Sequence, residues 1–342
     1  AACHYCGPRE RGCSTFSYFS SPFTTVADAL KTGNCTLVTN AIVSHVNMDT
    51  KTNRARGVTY IDRHTRKTYD VSSQAVILCA QALESTRLLF NSRTSEHTNG
   101  LGNSSGLLGK YLMDHAVGGA ASGELTDMDF KKSASDPVRP NGIYVIRFRN
   151  LPGGRKHPRF IRGYGFQGGS KPRFNFEAKG FGASYKRAVR EGVYGILLGA
   201  FGESLPRLDN YCEIDPELKD AWGIPALRVH MTHGSNEEAM MQDAAVSAAE
   251  MMETAGVRNI ILNSELAMPG MAIHEVGTAR MGHDTRKSVL TSYNQTHDVQ
   301  NLFVMDGACF VSSACQNPTL TMMALTVRAC DHLIERFRTG EV

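Results

Sequence analysis

The chain is 342 residues long and 42% hydrophobic, and its 37 Lys and Arg against 33 Asp and Glu give a formal net charge of +4 with no long block of one sign. That balance excludes a disordered chain and offers no electrostatic footprint for nucleic acid or an anionic membrane surface. No stretch reaches the roughly 20 apolar residues of a membrane span, and the length suffices for about two domains.

The sequence opens on AACHYCGPRERGC without an initiator Met, so the absence of a targeting segment decides nothing. Cys3, Cys6 and Cys13 form C-x2-C-x6-C with His4 between the first two. Zinc wants four ligands and this set is incomplete, so no metal is assigned; a loop crosslink or free thiols are the simpler readings. The other six of the nine cysteines (Cys35, Cys79, Cys212, Cys309, Cys315 and Cys330) sit in apolar sequence and read as buried thiols.

Residues 35–40, 41–49, 55–63 and 67–73 read as strands, the last two joined by a turn at 64–66. The continuous apolar run 74–80, QAVILCA, predicts a strand covered on both faces, and it passes through residues 81–84 into a helical stretch, STRLLFNS. Strand, turn and helix in that order are how doubly wound sheets bring a backbone turn to a nucleotide. From 116 to 235 the pattern becomes short, Gly-punctuated and alternating, as in GIYVIRFRN, YGILLGAFGE and ALRVHMTHG, which predicts an antiparallel sheet. The basic residues at 147–163 and 171–190 are interleaved with Gly and aromatics and read as a solvated face. Residues 236–255 predict an amphipathic helix with Asn236 as cap, Gly256 as stop and its methionines in the core.

The last elements are a strand, NLFVMDG, and a helix introduced by CQNPTL. Asn317 reads as the N-cap and Pro318 as the first helical residue. Leu320, Met323, Ala324, Val327 and Ile334 recur at helical spacing and predict the buried face. The front of that helix carries unpaired N–H groups and partial positive charge, suited to an anion or an electron-rich ring. Two regions of one style, 1–115 and 271–342, thus flank a third, 116–270, which predicts a discontinuous first domain around an inserted one.

Two residues carry candidate chemistry. His274 stands before a Gly-Thr turn in HEVGTARMG, and Asp306 ends a strand, where a carboxylate can accept from a ribityl or ribose hydroxyl. Each has an ordinary structural reading when taken alone.

Together and in order, QALESTRLLFNS (81–92), GLGNSSGLLGKYLMDH (100–115), HEVGTARMG (274–282) and NQTHDVQNLFVMDGACFVSSACQNPTLTMMALTVRACD (294–331) closely resemble the glucose-methanol-choline (GMC) family of FAD-dependent oxidoreductases, and LDNYCEIDPELKDAWGIP (208–225) does so more loosely. Within that family the likeness is to bacterial sugar and sugar-acid dehydrogenases. The resemblance implies a mixed α/β and α+β fold, with a partial, discontinuous FAD-binding Rossmann-like domain at 1–115 and 271–342. It implies an antiparallel-sheet-plus-helix substrate domain at 116–270. It makes His274 the base and Asn317 its partner, and it puts Asp306, Gly307, Asn317, Pro318, Thr319, Asp114 and His115 beside FAD. A base reaching the hydroxyl proton, and an amide donor that holds the alkoxide without titrating, are what alcohol oxidation by hydride transfer needs. Thr321 is a further helper at the helix start.

The family's strand–G-x-G-x-x-G–helix unit, which should precede all of this, is not found, and GLGNSSG has one residue too many. The expectation is that the chain is the C-terminal portion of a longer protein. The cluster at the N-terminus has Arg9 where relatives often carry a further Cys, so iron–sulfur is not extended to it. The implied partners are a sugar or alcohol substrate and an electron-accepting subunit or quinone, in the periplasm or cytoplasm of a bacterium. A small-alcohol or choline-type oxidase, a cofactor-less binding or assembly protein with this fold, and a metal module on an inert scaffold are the alternatives.

Overall fold

The computed structural model describes residues 3–4, 12–13, 15–126, 142–173, 177–190 and 193–342. Helix α1 (Thr25–Lys31) comes first, then strands β1 (Ala41–Asp49), β2 (Arg54–Asp62), β3 (Thr68–Ser72) and β4 (Val76–Leu78) and helix α2 (Ala82–Asn91). Strands β5 (Ala116–Leu125), β6 (Ile143–Val145) and β7 (Tyr164–Arg173), helix α3 (Gly182–Arg190), and strands β8 (Val193–Gly202), β9 (Tyr211–Lys219) and β10 (Pro225–His230) follow. Helix α4 (Ser235–Thr254), β11 (Arg258–Asn263), β12 (Leu302–Val304) and helix α5 (Thr319–Arg338) complete the chain. These elements form two compact units, one of residues 1–39, 117–201 and 238–266, the other of 40–116, 202–237 and 267–342.

In the second unit β1, β2 and β3 make an antiparallel sheet in that order. The turn after β2 forms because the Asp62 carboxylate accepts the His64 and Thr65 N–H groups, and Arg66 takes a positive φ of 61°. Strands β4 and β12 pair in parallel, Val76 opposite Leu302 and Leu78 opposite Val304. Asn301, 1% exposed, fixes that register: its amide donates to the Ala55 and Gln74 carbonyls and accepts from the Ala55 N–H. Val76, Leu78, Leu89, Leu101, Leu290 and Leu302 lie at the centre of the apolar core. The hairpin of β9 and β10 is tied to α2 by Arg87, which pairs with Asp220 at 2.7 Å and donates to the Pro225 carbonyl.

In the first unit the sheet order is β11-β5-β8-β7-β6. Helix α4 lies so close to β5 that a Cβ on Gly119 would fall 2.5 Å from the Met241 carbonyl oxygen. Met240, Met241, Ala244, Ala245 and Ala248 are each 0% exposed, so the methionines are core as the pattern predicts. Tyr164 anchors the sheet, its hydroxyl donating to Asp243 at 2.5 Å, and burial together with the Asp243 carboxylate pushes that phenol well above its ordinary value.

Several expectations are corrected. Residues 35–40 are not a strand: β1 begins at Ala41, and Leu37 and Val38 are exposed. The run 74–80 is not covered on both faces: Val76 and Leu78 are buried, but Ile77, which alternates to the opposite face, is 42% exposed. Cys35 and Cys79 are exposed, unlike Cys212, Cys309 and Cys315. Helix α4 starts at Ser235, so Asn236 is inside it; the Glu237 carboxylate reaches back to the Gly234 N–H at 2.9 Å and does the capping. Gly256, at φ +77°, does end it.

In α5 the cap position is Pro318 and the helix starts at Thr319, one residue later than predicted from Asn317 and Pro318, with no side-chain cap bond. Its predicted buried face is the exposed one: Leu320 is 78%, Val327 62% and Ile334 49% exposed. The buried side is Ala329 and Leu333, which pack with Phe303 and Met305. A G-x-G-x-x-G string does occur, at 163–168, but Tyr164 begins β7 there and no helix follows directly, so it is not a phosphate turn. Cys6 and Arg9 lie outside the described residues.

Candidate active site

Three segments distant in sequence are hydrogen-bonded side by side in the second unit. Met113 and Val276 exchange both N–H···O bonds, each at 2.9 Å. The N–H groups of Gly277, Ala279 and Met281 then donate to the carbonyls of Gly307, Ala308 and Cys309 at 3.0, 2.8 and 3.0 Å. Two glycines make this approach possible. A Cβ on Gly277, whose φ is +101°, would stand 2.4 Å from the Tyr111 carbonyl oxygen, and one on Gly307 would stand 2.9 Å from that of Glu275.

His274 is half-buried on the second of these segments. Its Nδ1 lies 2.9 Å from Nδ1 of His115, and the two rings meet edge to face at 83°. The Nε2 of His115 donates to the Ala314 carbonyl at 2.5 Å. His115 is 2% exposed. Burial holds its imidazole below the ordinary value and the neighbouring His274 pushes the same way, against the Ala314 carbonyl and Asp114.

Asp114 is 0% exposed and its carboxylate faces backbone. One oxygen accepts the N–H groups of His115 and His274 at 2.8 and 2.9 Å, and the other accepts that of Ala272 at 3.1 Å. Between the last two stands Ile273, at φ +56° and 78% exposed. A β-branched residue in the left-handed region is strained by about 1–3 kcal/mol, and the carboxylate clamp on both sides holds it there.

Asp306 lies just beyond the carboxyl end of β12 and is 8% exposed. Its carboxylate accepts from the Ser85 hydroxyl at 2.5 Å and from the Ala308 N–H at 2.9 Å. Burial raises its pKa and these two bonds oppose that. Ser85 also accepts the Ala80 N–H, joining Asp306 to the turn between β4 and α2. There Gln81, at φ +81°, accepts the Leu83 N–H and donates to Glu275, the neighbour of His274. Gly307 is buried beside Asp306.

Asn317 and Thr319 are exposed and Pro318 half-buried at the start of α5. The first intrahelical bond there is donated by the Met322 N–H to the Pro318 carbonyl, leaving the amides of Thr319, Leu320 and Thr321 without an intrahelical acceptor. Such a set of donors fits the electron-rich edge of a planar heterocycle. Sequence reasoning missed Ser85, Gln81, Glu275 and the Ala314 carbonyl; a helix N-cap following an apolar strand was the available signal for Gln81. Among the described residues no group of three or more His, Cys, Asp and Glu could hold a metal, and no helix is long and apolar enough to cross a membrane.

Two family models, both described as GMC oxidoreductase, match residues 1–117 and 206–326. The 2-methyl-1,2-propanediol dehydrogenase of Mycolicibacterium austroafricanum is 32% identical over 88% of this chain and 54% of its own length. The fructose dehydrogenase large subunit of Gluconobacter japonicus is 28% identical over 89% of this chain and 55% of its own. The gluconate 2-dehydrogenase flavoprotein of Pantoea cypripedii is 26% identical over 98% and 56%. The chain therefore spans about half the length of the curated relatives it matches. Among solved structures, a variant of Aspergillus oryzae formate oxidase studied for FAD modification shares the fold, with a TM-score of 0.61 at 13% identity over 87% of this chain and 60% of its own.

Proposed function

This chain belongs to the GMC oxidoreductase family, and from that membership we propose that it is part of an FAD-dependent enzyme oxidising a CH–OH group of a sugar, glycoside or sugar acid, with His274 as base. The observation that carries this reading is the anchoring of His274: a base acts only if its ring is fixed within reach of the proton it removes. Here the backbone at His274 is held by Asp114 and the ring by His115.

Asp306, Gly307 and the exposed start of α5 at Asn317, Pro318 and Thr319 would hold the ribityl and ring portions of FAD. When bound, FAD supplies the hydride acceptor. The substrate hydroxyl gives its proton to Nε2 of His274, and the Asn317 amide donates to the oxygen as it becomes negative. The helix-start amides favour negative charge on the ring edge they face. Among the described residues no turn has the strand–Gly-rich turn–helix form that takes a pyrophosphate.

A second reading, a small diol or other alcohol as substrate, is favoured by the diol dehydrogenase among the relatives. An electron-accepting subunit or quinone would complete the cycle; the fructose dehydrogenase large subunit is by its name one subunit of several. The test uses the protein expressed from its full reading frame, with FAD content measured and a panel of sugars, sugar acids and diols as reductants. His274→Ala should keep its FAD and reduce it about 10²- to 10⁴-fold more slowly. An unchanged rate overturns the role of His274, and a wild-type protein that takes up no FAD overturns the whole reading.

A further inference from the structure

We propose that His115 is a positioning residue that selects the tautomer of His274, keeping the His274 proton on Nδ1 so that Nε2 is the basic nitrogen, while Asp114 fixes the backbone on which both rings stand. This rests on the reading of His274 as base but is testable apart from it.

The assignment follows from hydrogen-bond polarity. The Ala314 carbonyl can only accept, so Nε2 of His115 carries a hydrogen. A neutral imidazole has one N–H, so Nδ1 of His115 is left as an acceptor. The Nδ1 of His274, 2.9 Å away, must then be the donor. A neutral His274 protonated at Nδ1 carries its lone pair on Nε2. Were His115 charged, its own Nδ1–H would donate and the His274 proton would be driven to Nε2, the wrong end for a base. The depressed basicity of His115, a consequence of its burial, keeps it neutral and the polarity fixed.

The chain of contacts also runs onward. Ala314 lies three residues before Asn317, so one buried ring ties His274 to the loop that leads into α5. The Asp114 oxygens cannot be exchanged for those of an amide without loss, since three backbone N–H groups converge on them. A carboxylate alone offers acceptors at both ends.

The experiment is long-range ¹H–¹⁵N correlation on this chain with ¹⁵N-histidine at about pH 8, where unperturbed imidazoles are neutral. The 12 histidines are assigned by single substitution. The wild type should show His274 protonated on Nδ1 and His115 on Nε2. In His115→Leu, which offers no acceptor, His274 should change to the Nε2–H form. In His115→Asn, whose amide oxygen stands near the former Nδ1, the Nδ1–H form should return. His274 carrying its proton on Nε2 in the wild type, or on Nδ1 in His115→Leu, overturns the proposal. In the protein from the full reading frame, His115→Leu should slow flavin reduction up to about 100-fold at little change in KM, with partial recovery in His115→Asn. A tautomer switch as stated, with a His274→Ala variant as fast as wild type, would leave the positioning role standing and remove the base.

Discussion

Two buried carboxylates organise the second unit, and they do it differently. Asp114 is fully enclosed and spends both oxygens on backbone N–H groups, one of them its neighbour's and two from a segment 158 and 160 residues away. Asp306 sits at a strand end, caps the short turn that follows it and takes its distant partner as a hydroxyl, from Ser85. The first fixes a strained loop in space; the second joins the turns that follow the paired strands β4 and β12 and keeps a small opening to solvent. A carboxylate held by three convergent amides has no tolerance for a donor in its place, whereas one held by a hydroxyl and a local amide does, because a hydroxyl can reverse its role.

That contrast is sharpened by substitution at each centre. Asp114→Asn places an NH2 against a backbone N–H, leaves a buried donor unpaired and frees Ile273 from its clamp; we expect about 3 kcal/mol of stability lost, read by denaturant midpoint, with His274 misplaced in the same variant. A loss below about 1 kcal/mol would erase the distinction. Ser85→Ala should cost about 1–2 kcal/mol and more at higher pH, since the hydroxyl supports the ionised form of Asp306.

Asp306→Asn gives the smallest and most pH-dependent effect. The pKa of Asp306 is raised above 3.8 in the fold, so its contribution is greatest below that value and is lost as pH rises through the folded pKa. The variant should therefore gain on wild type as pH rises from mildly acid to neutral. A difference that is flat with pH would show that burial does not burden this carboxylate.

Much of this arrangement was legible in the sequence. His274 and Asp306 were marked by their motifs, and the strand–turn–helix at 76–91 follows from an apolar run leading into helical periodicity, whereas the parallel pairing with β12 that places Asp306 comes from the structure. The two 20-residue helices show where such reading stops. In α4 the periodic Ala and Met positions are the buried ones, pressed onto a sheet. In α5 an equally regular stripe through Leu320, Val327 and Ile334 faces outward, and the smaller Ala329 and the lone Leu333 are buried. Periodicity reports that an apolar face exists, not what covers it. The same limit hid how Asp114, expected beside FAD, is used: its contacts with a loop far along the chain leave no local signal, and nothing in the letters around Ile273 announces a positive φ.

As proposed, His274 takes the substrate proton at Nε2. Anaerobic stopped-flow reduction of the flavin in His274→Ala, with and without added imidazole, tests it most directly. Reduction should be slow with FAD retained, and should recover as the concentration of free imidazole grows. Reduction at the wild-type rate without imidazole would contradict it.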